Sequence, residues 1–306
     1  MVLLRKTDEE NRCLTCVRVY SANHARRDSN SSETMNTNTK LLLLIPALLS
    51  SLPVLAIEVT EFEGGAHAFP ALLDLAGKKL ADGDFSQWIE DDRLHIRIIY
   101  KFGHRQRIEE NAVFRQKPEL IQDEWSWREL REGQLYREFA VDFRSQTATA
   151  QKRDKDDLKH WSEKIDIQIG RAYAGVGFAL ALQNLRKRLI DGERIELQAI
   201  GFNPKPQVVT VELSHGGVDE MKMSDRSLEG DRFIIHPKLP AIAKLLVKVP
   251  DTQIWLTKPP ASFLRWEGLM AEPNDPIIRV DLVPGAQSGP AKPVETNQEQ
   301  QKHSPE

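Results

Sequence analysis

Residues 170–192, GRAYAGVGFALALQNLRKRLIDG, carry the strongest helical period after residue 56, and the sequence on both sides of them alternates like β-strand. That contrast constrains the fold more than any other feature. Many short alternating segments and one amphipathic helix must bury a single apolar stripe against a sheet. Tyr173, Val176, Leu180 and Gln183 fall on one line at three- and four-residue spacing, and Phe178, Leu182, Leu185 and Leu189 on a second. The two lines merge into a broad apolar face. Arg186, Lys187 and Arg188 crowd the last turn, where positive charge suits the carbonyl end of the helix dipole, and Gly192 is a natural stop. Gly175 and Gly177 weaken the first turns by roughly 1 kcal/mol each relative to Ala, and leave room for a close approach to a strand. The bland role for this helix is to cover or plug one end of a sheet core. The sharper role is to gate a ligand.

The flanking strands follow period two. In residues 93–102, Leu94, Ile96, Ile98 and Tyr100 face one way while His95, Arg97 and Lys101 face the other. Trp125 and Trp127 share a face of 120–130, Arg131-Glu132-Gly133-Gln134 makes a hairpin turn, and 135–143 returns. Further strands are expected at 57–62, 107–115, 147–151, 161–169, 194–202, 207–213, 221–223, 232–236, 252–256, 263–269 and 277–283. Residues 70–80 read as helical or irregular, 153–159 as a solvated hairpin tip, Gly216-Gly217 as a tight turn, and 241–248 as helix or strand. The expected class is mainly β: an antiparallel curved sheet, a barrel or half-barrel, with one packed amphipathic helix.

Lys40 precedes the apolar run LLLLIPALLSSLPVLA, residues 41–56, which ends in small-residue spacing at Val54-Leu55-Ala56. This pattern predicts a secretory signal over 35–56 cleaved after Ala56, since a membrane span needs about 20 apolar residues. An uncleaved anchor of the inner membrane is the alternative. Met35 would start a complete signal peptide, so 1–34 reads as a non-native extension. Cys13 and Cys16 then both precede the export signal, and the mature chain has no cysteine for a disulfide or thiol chemistry. Removing 1–56 takes away seven Lys/Arg and five Asp/Glu, leaving 35 basic against 40 acidic residues. Both signs are interspersed, which is no nucleic-acid footprint. One domain is expected over 57–283, followed by a disordered tail over 284–306 of Gly, Pro, Ser, Gln, Glu and Lys. A periplasmic or secreted bacterial protein fits these features.

Chemical motifs are sparse. The histidines after residue 56 form no H-x-x-x-H or H-x-H, so no metal site and no cofactor is expected. Glu109-Glu110 and Asp156-Asp157 are adjacent carboxylates, which in a strand point to opposite faces and form no acid/base dyad. Trp125, Trp127, Trp161, Trp255 and Trp266 all fall in or at the ends of expected strands. They are either the core or the lining of an apolar pocket. The candidate ligand-binding set is Trp125, Trp127, Trp255, Trp266, Arg265 and Tyr173. Core packing is the bland alternative for this set.

Leu185-Arg186 on the helix, Gly192-Glu193 after it, the strand Ile254-Trp255-Leu256 and the last strand over 277–282 form a loose pattern. On these features residues 172–283 resemble an uncharacterised family of exported bacterial proteins, known only as a domain of unknown function. The resemblance implies a periplasmic, lipocalin-like curved antiparallel sheet. It supplies no catalytic residue, and it does not account for residues 263–268 or for the first half of the chain. The function expected is a non-enzymatic envelope protein binding a lipid or other amphipathic ligand in a barrel-like cavity. The alternatives are a hydrolase with a carboxylate and a histidine from separate strands, and a scaffold binding an envelope protein through a sheet edge.

Overall fold

The computed structural model describes residues 56–103, 105–223, 226–239, 249–259 and 262–283, all within one compact unit. The apolar run over 41–55 expected as an export signal, Cys13 and Cys16, the 241–248 segment and residues 284–306 expected as a tail lie outside the described residues.

The described residues begin with β1 (Ile57–Glu58), β2 (Ala66–Asp74), β3 (Lys79–Glu90), β4 (Arg93–Phe102) and β5 (Arg107–Arg115). β6 (Glu119–Arg131), β7 (Gln134–Asp142), β8 (Thr147–Asp154) and β9 (Asp157–Lys164) continue the meander. After β10 (Ala172–Tyr173) comes helix α1 (Gly177–Ile190). β11 (Ile195–Asn203), β12 (Lys205–Met223), β13 (Arg226–Pro237), β14 (Thr252–Leu256), β15 (Phe263–Leu269) and β16 (Ile277–Val283) complete the chain. All strands join one curved sheet that runs from β10 through β16 to β2 and on to β9, with β1 added on β6. Every pairing is antiparallel except β10 with β11. Among the described residues the fold is therefore mainly β with one helix, as the alternation predicts.

The sheet curls until its two ends approach. Phe202 of β11 lies 4.6 Å from the Phe139 ring of β7 and 6.0 Å from the Trp125 ring of β6. Lys205 of β12 reaches Glu163 of β9 at 3.5 Å. Side chains, and not a ladder, bridge this seam. The expected inward faces are buried: Leu94, Ile96, Ile98 and Tyr100 on β4, Trp125 and Trp127 on β6, Phe139 and Val141 on β7. α1 buries Phe178, Leu182, Leu185 and Leu189 in the same core.

Several local expectations are corrected. Residues 70–80 are neither helical nor irregular: they form the turn end of the β2–β3 hairpin. Pro70 is tolerated in β2 because the β2–β3 pairing skips it, passing from Ala68–Phe85 to Ala71–Asp82. A side chain at Gly83 would overlap Pro70. Gly216-Gly217 is not a hairpin turn. It is a bulge inside the 19-residue β12, with Gly217 at φ 105°. The helix begins at Gly177, since Ala172 and Tyr173 pair with β11 and Gly175 sits at φ 52°. Its end matches the expected stop: Gly192, at φ 94°, donates to Leu189 O, and Glu193 donates to Arg188 O, a Schellman closure. β9 stops at Lys164, so Ile165 and Ile167 are buried outside any strand and Ile169 is exposed.

Candidate functional site

Two polar assemblies sit within the curl. The first anchors the helix. β5 places Glu109 and Glu110 on opposite faces, as period two requires. Glu109 pairs with Arg107 and Arg128. Glu110 accepts hydrogen bonds from the Trp125 indole and the Val176 amide, both at 2.8 Å. Gln122 clasps Ala174, two residues earlier: its Oε1 accepts from Ala174 N at 2.8 Å and its Nε2 donates to Ala174 O at 3.1 Å. Burial pushes the Glu110 carboxyl above its usual range, and the Trp125 and Val176 bonds offset part of that rise. Burial, followed by the Glu110 charge, pushes the Tyr100 phenol up in turn.

The second assembly is an open cleft of about 480 Å³ at the seam. Arg131, Tyr136, Arg137, Lys152, Arg153, Asp154, Lys159 and Trp161 form its β6–β9 wall. Asn203 and Pro204, at the β11–β12 turn, and Glu272, Asn274 and Asp275, between β15 and β16, close it from the other side. The pairing of β6 with β7 shifts so that Arg137 faces Glu129 and Leu135 faces Leu130, leaving Tyr136 between them without a β6 partner. Such a bulge re-aims side chains at a sheet end.

Arg137 is the hub of the cleft floor and only 4% exposed. Its Nε donates to Glu129 at 2.7 Å, and its Nη1 donates to Glu272 at 2.8 Å and to Asp275 at 2.8 Å. Burial draws its basicity down, but the Asp275 and Glu129 charges outweigh that and raise it. Arg131 shares Glu129 at 2.7 Å and lies 3.4 Å above the Tyr136 ring centroid. Lys152 donates to Glu272 at 2.6 Å, and Lys159 pairs with Asp154 at 2.5 Å. Arg153 donates to backbone carbonyls, from Nε to Leu135 O and from Nη1 to Asp156 O.

The six residues expected to bind a ligand do not gather at one place. Trp125 and Trp127 are buried in the core, stacked on Phe202 and Phe139. Trp266 packs against that core. Tyr173 is fully buried, with its hydroxyl donating to Leu120 O at 2.7 Å. Trp255 sits on the other face of the sheet: it neighbours the core residue Ile254 and faces Arg232 and Arg265. There it packs with Met221 and Leu264, and its indole donates to Asp219 at 2.8 Å. Arg265 lies 5.9 Å from the Trp255 ring and pairs with Asp281 at 2.6 Å. None of the six lines the seam cleft. Trp161, expected in the aromatic set, does line it. The 153–159 hairpin tip, read as merely solvated, supplies Arg153, Asp154 and Lys159.

His67–Asp84 at 3.0 Å and His236–Asp251 at 2.7 Å are exposed pairs, and His215 lies 3.3 Å from Asp231 beside Arg186. None of these seven residues lines the cleft. Among the described residues no group of three or more His, Cys, Asp or Glu is placed to hold a metal ion.

No protein-family model matches the sequence, and no curated protein matches it. Among solved structures, the chain is similar to a beta-barrel-like protein of domain of unknown function DUF1849 from Brucella abortus. That likeness has 8% identity, a TM-score of 0.42, and covers 75% of this chain and 98% of the other.

Proposed function

We propose that the protein is an exported, non-enzymatic, barrel-like binding protein of the bacterial envelope, and that its ligand is amphipathic and enters at the seam cleft. The observation that carries this is the make-up of the cleft: Trp161, Tyr136 and Pro204 beside Arg153, Lys152 and Lys159 in an opening of about 480 Å³. Small-ligand sites combine apolar walls with a few placed polar groups. The Trp125–Phe202 and Phe202–Phe139 stacks occupy the interior behind it, so the seam is the more accessible place for a guest. The apolar run over 41–56 supports export.

Native mass spectrometry with solvent extraction tests the proposal on the full chain, expressed with its own leader and purified from the envelope fraction of a bacterial host. A co-purifying small mass, lost in Trp161→Ala, is expected. A bare polypeptide mass, or a protein confined to the cytosolic fraction, would count against it.

A further inference from the structure

The outer face of β3–β9 carries one row of side chains unlike the rows beside it. Arg97 lies between the buried Ile96 and Ile98, and Ser126 between the buried Trp125 and Trp127, so period two turns both outward. Ser86 pairs across the strands with Arg97, Arg97 with Asn111, and Asn111 with Ser126. The row then runs through Ala140 and Thr149 to Ser162. It crosses from β3 to β9 strand by strand, at a spacing of about 4.8 Å.

The flanking rows are taller and paired within themselves. On one side Trp88 stacks on His95 at 5.4 Å, and Glu124 pairs with Arg144. On the other, Arg128 pairs with Glu109, and Gln151 donates to Glu138 at 3.3 Å. Between these walls Ser86, Asn111, Ser126 and Thr149 are half-buried although they face outward, which makes the row a shallow trough. Among the described residues, the side chains of Ser86, Arg97, Asn111, Ser126, Thr149 and Ser162 have no hydrogen-bond or ion-pair partner. A solvated sheet face carries long charged side chains, as the flanking rows do. The trough instead carries hydroxyls and an amide, with Arg97 as its one charge.

We infer that this trough is a second binding site, and that its occupant is a polysaccharide chain lying across the strands. Each serine or threonine hydroxyl both donates and accepts, as a sugar hydroxyl does, and the Asn111 amide offers two donors beside an acceptor. Arg97 adds a fork of donors with no competing carboxylate. Trp88, 39% exposed, stands beside the Ser86–Arg97 end and offers a flat apolar surface to a sugar ring. A protein partner would need apolar anchors, and Ala140 is the one apolar side chain of the row. A nucleic acid would need a local basic excess, and Arg97 alone does not supply one. The site lies on the opposite face of the sheet from Trp125 and Trp127 and is independent of the seam cleft.

The test is co-sedimentation of the full-length exported protein with three insoluble glycans: chitin, cellulose and peptidoglycan. Retention on at least one is expected, and it should survive about 0.5 M NaCl, because most of the contacts are neutral. Asn111→Ala should weaken retention about five-fold, the value of one hydrogen bond. Ser126→Gln raises the floor of the trough without adding charge and should weaken it at least as much. Both positions face outward, and an unchanged urea midpoint confirms that each variant is folded. The uncharged fluorescent probe N-phenyl-1-naphthylamine reports the cleft, and its affinity should be the same in both variants. Retention on chitin and peptidoglycan but not on cellulose would identify acetamido sugars as the ligand, and equal retention the hydroxyls common to all three. No retention on any glycan would overturn the assignment, as would retention abolished by salt or unaffected by both variants. Retention lost in Trp161→Ala but kept in both trough variants would move the glycan to the cleft and overturn the trough alone.

Discussion

The Val176 amide, at the start of α1, donates to the Glu110 carboxylate at 2.8 Å. One buried acid on β5 thereby ties the helix to the far strands, and the positive end of the helix dipole faces its charge. Burial still dominates, and the folded-state carboxyl titrates above its ordinary range. The sign follows from linkage: a raised folded pKa contributes stability below the unfolded pKa, and this is lost as pH rises through the folded one. Glu110→Gln keeps an acceptor for Val176 and Trp125 but removes the charge. Wild-type protein should therefore gain stability relative to Glu110→Gln as pH falls from neutral toward the ordinary carboxylate range. Urea unfolding of both proteins at about pH 7.5 and about pH 5 measures the difference. A wild type that loses ground on acidification would contradict the burial argument.

Gly175 lies against the same clamp. Its φ of 52° is left-handed, and a methyl there would overlap Glu110 Oε1 and Trp125 Nε1. Gly175→Ala should cost about 2–4 kcal/mol, combining backbone strain with displacement of two buried bonds. Chemical denaturation reads this directly. A loss under about 0.5 kcal/mol, the usual effect at an uncommitted surface position, would mean the clamp is loose.

Arg137 makes a different prediction, because its partners are buried too. Truncation to Ala takes from the Glu129 carboxylate, itself 1% exposed, the buried one of its two arginine partners, each at 2.7 Å, and takes the same cation from Glu272 and Asp275. The expected cost is about 3–5 kcal/mol. Lys187→Ala is the control. Its pair with Asp191 is solvent-exposed, and removal should leave the urea midpoint unmoved. Comparable losses in the two variants would show that the Arg137 network is solvated.

These contrasts show what a linear reading can reach. The inward faces of β4, β6 and β7 were legible, because period two assigns Ile96, Trp125 and Phe139 to one side without knowledge of any partner. The stop at Gly192 was legible for a similar reason: a Schellman closure is local. The start of α1 was not. Gly175 and Gly177 read as weak helix positions with room for a strand, but that the groups admitted are Glu110 and Gln122, from distant strands, is set by the fold alone. The cleft was hidden in the same way. Arg153 and Lys159 sit in a charged run whose local reading is solvent, and only the return of residues 203–204 and 272–275 makes it a wall. Arg137 gave no signal, since two of its three carboxylates lie more than a hundred residues away.

Trp255 and Trp161 separate packing from binding. Both are tryptophans in short alternating strands, and the sequence treats them alike. In the fold, Trp255 is closed in by Met221 and Leu264 on the face away from the core. Trp161 packs partly buried against that core and borders the cleft. Trp255→Ala should cost about 3–5 kcal/mol of stability through the cavity it leaves. It should leave N-phenyl-1-naphthylamine binding unchanged when folded protein is compared at equal concentration. Trp161→Ala should do the reverse, with a smaller stability loss and probe affinity reduced several-fold, because it removes the aromatic wall on which the probe rests. Probe titration and urea unfolding on each variant give the four numbers needed. If Trp255→Ala weakens the probe and Trp161→Ala does not, the guest sits on the outer face near the β12–β13 hairpin, and the seam is only a packing defect.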